Sequence, residues 1–392
     1  MPEVQTPEWT GEEFGPYRVL RRLGMGGMAE TFEAVRFGPG GFSQRVCLKL
    51  VLPFFRNDPD FVRLFEREAR LAAKLRHSNI VGIIDFGNVD GTPYMALELV
   101  DGVDLRALLK SQPGERLSHD LVELMALELA QGLAHAHNPS GVSGGGKTSE
   151  VRGIAHRDLS PSNVMLSVEG EVLLTDFGVA KAMDGTNRKQ SDVKGKVPYM
   201  SPEQLRNEVV DGRADLFSLG VLLFEALTGE RPYDGGSDPA TILLILQGEH
   251  PSLQELVPDA PEGLCRVIES LIDPDRDKRP ISALALVEQL DEFAPSPRTR
   301  RELSKMVGAL RREPVEGEAG LLDSYRSTPG TGSRSGVVSS TLPAVSTGSE
   351  GLSEDPETQE RKGLHVNASA LLAITIVAIM LVGIFLFAMR MV

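Results

Sequence analysis

Residues 156–178 read HRDLSPSNVMLSVEGEVLLTDFG. Two apolar runs in that stretch, Val164-Met165-Leu166 and Val172-Leu173-Leu174, flank a Glu169-Gly170 turn, and this spacing predicts a β-hairpin. A hairpin there returns Asn163 and Asp176 to the same end of two neighbouring strands. An amide oxygen and a carboxylate in one place are hard ligands suited to Mg²⁺, which keeps several waters and takes phosphate oxygens for the rest. His156-Arg157-Asp158 and Asp176-Phe177-Gly178 carry little information singly. The hairpin between them is what joins them into one site.

Working outward, the segments 17–23 (YRVLRRL), 31–37 (TFEAVRF) and 45–52 (RVCLKLVL) read as short strands separated by glycine-rich turns, whereas 119–137 and 213–228 carry helical periodicity. The expected class is α+β, a small β-rich lobe followed by a larger helical one. Gly24-Met25-Gly26-Gly27-Met28-Ala29 falls between the first two strands. Glycines let backbone N–H groups approach phosphate oxygens closely, although a plain hairpin turn uses the same residues. A dinucleotide fingerprint needs a helix after the glycines, and a strand follows here. Lys49 lies in RVCLKLV, where both strand faces are otherwise apolar, and a buried ammonium requires a partner. The helical stretch 61–75 offers one. Glu68 falls inside its apolar stripe of Phe61, Leu64, Phe65, Leu71, Ala72 and Leu75. Glu68 either pairs with Lys49 or snorkels at the edge of that stripe.

Taken together, these residues resemble a bacterial eukaryotic-like (Hanks-type) serine/threonine protein kinase over roughly 17–293. The matching motifs are LGMGGMAET at 23–31, VCLK ending in Lys49, FEREA around Glu68, HRDLSPSN, DFG, SPE at 201–203, DLFSLG at 215–220 and DKRP at 277–280. The resemblance implies a two-lobed protein-kinase fold with ATP between the lobes. It places Leu23, Gly24, Met25, Gly26, Gly27, Met28, Ala29, Glu30 and Thr31 over the nucleotide. Glu98 and Val100 belong to a hinge near Glu98-Leu99-Val100, with Leu97 behind it. Lys49, held by Glu68, contacts the α/β-phosphates; Asp158 accepts the substrate hydroxyl proton; Asn163 and Asp176 hold Mg²⁺ or Mn²⁺. Glu203 and Arg279 form a buried pair, and Asp215 braces the catalytic loop from a buried helix. Arg157 beside Asp158 marks a kinase switched on by phosphorylation within 179–200, where Thr186 and Ser191 are the candidate sites.

The function so implied is transfer of the ATP γ-phosphate to Ser/Thr hydroxyls of protein substrates, with autophosphorylation in trans through a dimer. The alternative is a pseudokinase scaffold that recruits partners to the membrane. Retention of Lys49, Glu68, Asp158, Asn163 and Asp176 together favours the enzyme. A tyrosine-specific kinase is a third reading: Pro161 follows the Ser/Thr pattern, but Ser160 does not. The family usually has Lys at 160 and Thr at 196, whereas this chain has Ser160 and Lys196. A reciprocal exchange is expected, in which Lys196 supplies the ammonium near the γ-phosphate and Ser160 takes the hydroxyl's place. The alternative is that the two changes are independent. Ala29 as the third glycine of the clamp and Thr31 beneath the adenine are milder departures.

The chain has 392 residues and a net charge of −14. That balance excludes a broad nucleic-acid binder, which needs a basic footprint. Two cysteines, Cys47 and Cys265, cannot build a disulfide framework, which points to a reducing compartment. The acidic residues 1–16 form an N-terminal extension with no apolar signal-peptide core. Residues 294–366 are rich in Ser, Thr, Gly and Pro and are expected to be a disordered juxtamembrane linker. Within it, 298–312 (RTRRELSKMVGALRR) sets Leu303, Met306, Val307 and Leu310 on one helical face among six basic residues. This basic amphipathic helix lies either on an anionic membrane or on the preceding domain. No charged residue occurs from Ala368 to Met389, a length that spans a bilayer core, so 367–389 is expected to be a transmembrane helix with a short tail at 390–392. Arg361 and Lys362 before it, and the need for cytoplasmic ATP, orient a single-pass cell-membrane protein with its kinase domain inside. Charges in 294–367 cancel, so a net −15 resides in residues 1–293.

Overall fold

The computed structural model describes residues 11–138, 153–177, 196–293 and 295–311. The glycine-rich stretch 139–152, the candidate phosphosites Thr186 and Ser191, the linker beyond 311 and the apolar run 367–389 lie outside the described residues.

The small lobe is one antiparallel sheet of six strands in the order β1-β2-β3-β4-β6-β5. Its strands are β1 (Glu13–Phe14), β2 (Tyr17–Met25), β3 (Ala29–Phe37), β4 (Ser43–Val51), β5 (Ile83–Val89) and β6 (Thr92–Glu98). Strand β4 shows why both of its faces are apolar. Val46, Leu48 and Leu50 join Phe14, Tyr17, Phe32 and Tyr94 in one core, while Cys47 and Val51 turn to a second core with Phe65, Ala69, Met95 and Leu97. Phe65 and Ala69 come from helix α2 (Pro59–Ala72), which follows the short α1 (Pro53–Arg56). Asp58 caps α2 by accepting from the Asp60 and Phe61 amides, and Pro59 opens its first turn. The lobe begins earlier than position 17, because Phe14 in the short β1 is only 2% exposed in the sheet core.

The large lobe contains the expected hairpin, β8 (Val164–Ser167) and β9 (Val172–Leu174), with β7 (Gly102–Asp104) alongside β8. Val164 pairs with Leu174 and Leu166 with Val172. Helices α3 (Leu105–Ser111), α4 (His119–His137), α5 (Pro202–Leu205) and α6 (Arg213–Thr228) surround it, followed by α7 (Asp238–Gln247), α8 (Leu253–Leu256), α9 (Glu262–Leu271) and α10 (Ala283–Leu290). Helix α6 is buried all round from Ala214 to Phe224, in keeping with a composition that is apolar apart from Asp215 and Ser218. It stops at Gly229, whose φ of +82° only glycine adopts without strain, and a Cβ there would lie 2.0 Å from the Gly114 carbonyl.

The basic helix is α11 (Pro297–Leu310), and it rests on the large lobe. Leu303 and Val307 are fully buried in that lobe's core, with Met306 and Leu310 packed beside them. Ser304 Oγ donates to the Val168 carbonyl at 2.6 Å, Arg300 pairs with Glu128, and Arg311 meets Asp101 at 2.8 Å. The packed domain therefore runs to Arg311, past the compositional boundary at 293, because the apolar stripe of 298–312 has its partner in α4 and the β7–β8 edge. Glu203 and Arg279 form the implied buried pair through contacts of 2.8 and 3.0 Å.

Leu303→Ala is expected to lower unfolding stability by about 2–5 kcal/mol in urea titration, the range for a buried leucine; a value under about 0.5 kcal/mol would mean the stripe has no core partner. Arg279→Met, which strands the buried Glu203 carboxylate, is expected to cost about 3–5 kcal/mol in the same measurement.

Candidate active site

The hairpin positions both proposed metal ligands. The 3₁₀ turn Pro161–Asn163 enters β8, and the Thr175 amide leaving β9 donates to the Asn163 carbonyl at 3.0 Å. Asn163 and Asp176 thus sit at one end of the hairpin, as its register requires. Asn163 Nδ2 donates to the Asp158 carbonyl at 2.7 Å and to its carboxylate at 3.1 Å, which leaves the amide oxygen as the group a cation can take. Asp176 has φ of +58° and Arg157 φ of +62°, conformations disfavoured for such residues and held only by their surroundings.

Asp215 in α6 provides that hold for Arg157. Its fully buried carboxylate accepts from the His156 and Arg157 amides at 2.7 Å each, and His137 Nε2 lies 2.7 Å from Oδ2. Burial alone would push this carboxyl up, but the hydrogen bond and charge of His137, the nearby His156 and the Arg157 amide together outweigh it and hold Asp215 below the usual carboxylate range. His156 ties the catalytic loop to the segment after β9. Its Nδ1 accepts from the Asp158 amide at 3.3 Å, its Nε2 lies 3.0 Å from the Thr175 carbonyl, and its ring packs on Phe177 with centroids 4.6 Å apart. Those partners fit the neutral imidazole, and burial depresses its pKa.

Two cation–carboxylate pairs occupy the cleft. Lys49 Nζ donates to Asp176 Oδ1 at 2.7 Å, and Lys196 Nζ donates to Asp158 Oδ2 at 2.5 Å. Burial would raise the Asp176 carboxyl, but Lys49 reverses the shift and keeps it below the ordinary range. An ionised carboxylate beside a free amide oxygen is the donor set that Mg²⁺ accepts, so the residues fit the implied metal. Glu68 lies on α2, and its side chain is outside the described residues. Ser160 Oγ is buried and makes no hydrogen bond among the described residues.

The glycine-rich turn joins β2 to β3, with the Gly26 amide donating to the Ala29 carbonyl at 2.9 Å. Met25 is 59% exposed at its tip, and Leu23 is also exposed. Thr31 pairs with Lys49 across the sheet, placing both on the cleft face, and its hydroxyl donates to the Gly24 carbonyl at 3.3 Å. Glu30 lies on the opposite face from Lys49 and pairs with Arg22, so only its backbone belongs to the clamp. Glu98 ends β6 with its carboxylate on the Gly82 amide, while Leu97 is buried behind it and Val100 packs on the same core.

Sequence reasoning missed several contributors. Cys47 shares the cleft face with Lys49, a placement its two-residue spacing could have revealed; burial pushes its thiol up to about 12, so it stays protonated. His137 and Gln204, whose Nε2 donates to the Arg157 carbonyl at 3.0 Å, meet the catalytic loop only in three dimensions.

Since His156 is neutral and buried, its folded pKa lies below the ordinary histidine value of about 6.5. Unfolding lets it bind a proton below that pH, so stability is full above about 6.5 and declines as pH falls further. The melting temperature is expected to drop between pH 7.5 and 5.5, and a flat profile over that interval would contradict the assignment.

The protein kinase domain family matches residues 17–290. Curated relatives include the tyrosine-protein kinase MasK of Myxococcus xanthus, 40% identical over 285 residues, covering 72% of this chain and 43% of that protein. The probable serine/threonine-protein kinase PknB of Lactococcus lactis is 36% identical, covering 64% of this chain and 38% of that protein. Serine/threonine-protein kinase PrkC of Bacillus subtilis is 34% identical, covering 65% and 37%. The chain thus spans less than half the length of these three relatives. A crystal structure of the Mycobacterium tuberculosis PknI kinase domain superposes with a TM-score of 0.55 at 26% identity, covering 74% of this chain and all of that one. The chain belongs to the protein kinase domain family, in its bacterial Hanks-type branch.

Proposed function

We propose that this chain transfers the γ-phosphate of ATP to serine and threonine hydroxyls of protein substrates. The observation that carries the reading is the assembled cleft: Asp158 held by Asn163 and Lys196, facing the Lys49–Asp176 pair. In the step, the substrate oxygen bonds to the γ-phosphorus, its proton passes to the Asp158 carboxylate, and the bond to the bridging oxygen breaks to release ADP. Lys49 and the amides of the glycine-rich turn hold the nucleotide phosphates. Asn163 and Asp176 would hold Mg²⁺ or Mn²⁺, which would supply neutralisation of the phosphate charge. Retention of Lys49, Asp158, Asn163 and Asp176 in bonded geometry argues against a pseudokinase scaffold. The Ser/Thr preference is supported by PknB and PrkC; the 40% identity to a Myxococcus tyrosine kinase keeps tyrosine as the second acceptor to be read.

The same reading places the enzyme at the cell membrane. The charge-free run 368–389 supplies a single span, Arg361 and Lys362 keep the kinase domain on the cytoplasmic side, and Thr186 and Ser191 are targets for autophosphorylation in trans between two copies.

Full-length protein in detergent, incubated with radiolabelled ATP, Mg²⁺ and a generic basic protein, is expected to label the substrate and itself. Asp158→Asn is expected to lower incorporation by at least about 100-fold, the usual contribution of a positioned base. Phosphoamino-acid analysis is expected to return phosphoserine and phosphothreonine; phosphotyrosine alone would replace the acceptor, and no incorporation would remove the enzyme reading. Truncation after residue 366 is expected to move the protein from the membrane pellet to the supernatant.

A further inference from the structure

Lys196 is not part of the catalytic loop. It lies 38 residues beyond Asp158, at the point where the chain emerges from 178–195 into a 3₁₀ turn, Val197–Tyr199. That turn is fastened to the buried helix α6 at two places. Ser218 Oγ donates to the Tyr199 carbonyl at 2.7 Å, and the Tyr199 hydroxyl bonds the Glu225 carboxylate. The Tyr199 amide donates back to the Lys196 carbonyl at 3.1 Å, closing the turn on the residue that carries the ammonium. Just beyond, Ser201 and Gln204 form a capping box, and the Gln204 side chain reaches the carbonyl of Arg157, the residue before Asp158. The 196–204 segment is thereby pinned at one end to α6 and at the other to the catalytic loop. Position 160, two residues past Asp158, contributes only a buried hydroxyl without a partner among the described residues.

From this arrangement we infer that Lys196 is the catalytic cation for the transferring phosphate, and that Tyr199 and Ser218 are the residues that position it. The inference rests on the proposed kinase activity. The physical argument concerns charge. The γ-phosphoryl must come within bonding distance of the hydroxyl whose proton goes to Asp158, so an ammonium 2.5 Å from that carboxylate also borders the phosphate oxygens. Electrostatic stabilisation supplies most of phosphoryl-transfer catalysis, and a preorganised ammonium there acts without reorganising. Because this cation is carried by the segment after 195, the site is charge-complete only while 196–199 stays docked on α6. Docking of the segment and completion of the transition-state charge become one event. Lys196 reaches the bound nucleotide's γ-phosphate, whereas ADP offers it nothing.

The test uses the full-length chain. Lys196→Thr is expected to lower kcat by about 100-fold or more with the KM for ATP changed less than about threefold, whereas Lys196→Arg, which keeps the charge, stays within about tenfold of wild type. A Lys196→Thr enzyme within about threefold of wild type would overturn the assignment. Independently of turnover, acylation of Lys196 by a water-soluble amine reagent, read by peptide mass spectrometry, is expected to be slowed by Mg²⁺ with a non-hydrolysable ATP analogue and not by Mg²⁺ with ADP. Equal labelling under both nucleotides would also overturn it. For the positioning role, Tyr199→Phe and Ser218→Ala are each compared in the wild-type and Lys196→Thr backgrounds, with melting temperatures to confirm folding. Both are expected to lower kcat about tenfold with Lys196 present and less than about twofold once it is gone. Equal losses in the two backgrounds would mean they act on the fold alone. Wild type no more active than Asp158→Asn removes the kinase reading itself, an outcome separate from all of these.

Discussion

The catalytic centre depends on a carboxylate in a place where charge is costly. Asp215 is fully buried in a largely apolar helix, and three hydrogen bonds at 2.7 Å compensate its desolvation. Two of them come from consecutive backbone amides, of His156 and Arg157. Amides of adjacent residues converge on one side chain only where the chain turns sharply, which explains the left-handed φ at Arg157. That turn determines where Asp158 emerges. Removing the carboxylate would leave the His156 and Arg157 amides without their partner and the strained residue unsupported.

Around that anchor the cleft is built from pairs whose halves are far apart in sequence. Lys49 and Asp176 are 127 positions apart, and Asp158 and Lys196 are 38 apart. Neither lysine can hold its place without the fold that brings its carboxylate. Lys49 is presented by β4 from the small lobe, and Asp176 by the hairpin of the large one, so their contact also links the two lobes across the nucleotide cleft. Phe177 packed on His156 and the Thr175 carbonyl beside the same ring make the loop and the hairpin end one rigid unit.

The large lobe is extended by α11, which lies past the end of the family match at 290. It buries Leu303 and Val307 on one side and keeps Arg298, Arg301 and Lys305 in solvent on the other. Its polar contacts reach Glu128 of α4, whose other oxygen accepts from Asn79 and the Val172 amide at the start of β9. The helix leading toward the C-terminal part of the chain is thus braced against the back of the hairpin that carries Asp176.

Much of this was legible in the amino-acid sequence. Local patterns fix local structure, so the alternation in 45–51, the hairpin at 164–174 and the helices at 119–137 and 213–228 follow from spacing alone. Lys49, Asn163 and Asp176 stand out because each breaks the pattern around it or sits at the end of a readable hairpin, whereas Asp158 was assigned through the resemblance of HRDLSPSN to the kinase family. Composition was less reliable: the polar residues near 294 suggested a domain boundary, yet the stripe through Leu303 and Val307 finds a core to enter. Only the tertiary structure decided which distant groups meet. His137 and the amides of His156 and Arg157 converge on Asp215, Gln204 reaches the Arg157 carbonyl, Glu30 turns away from the cleft, and Lys196 rather than Ser160 bonds Asp158. Periodicity assigns a residue to a face of its own element. What that face meets is set by how the elements pack, and that depends on all of their surfaces at once.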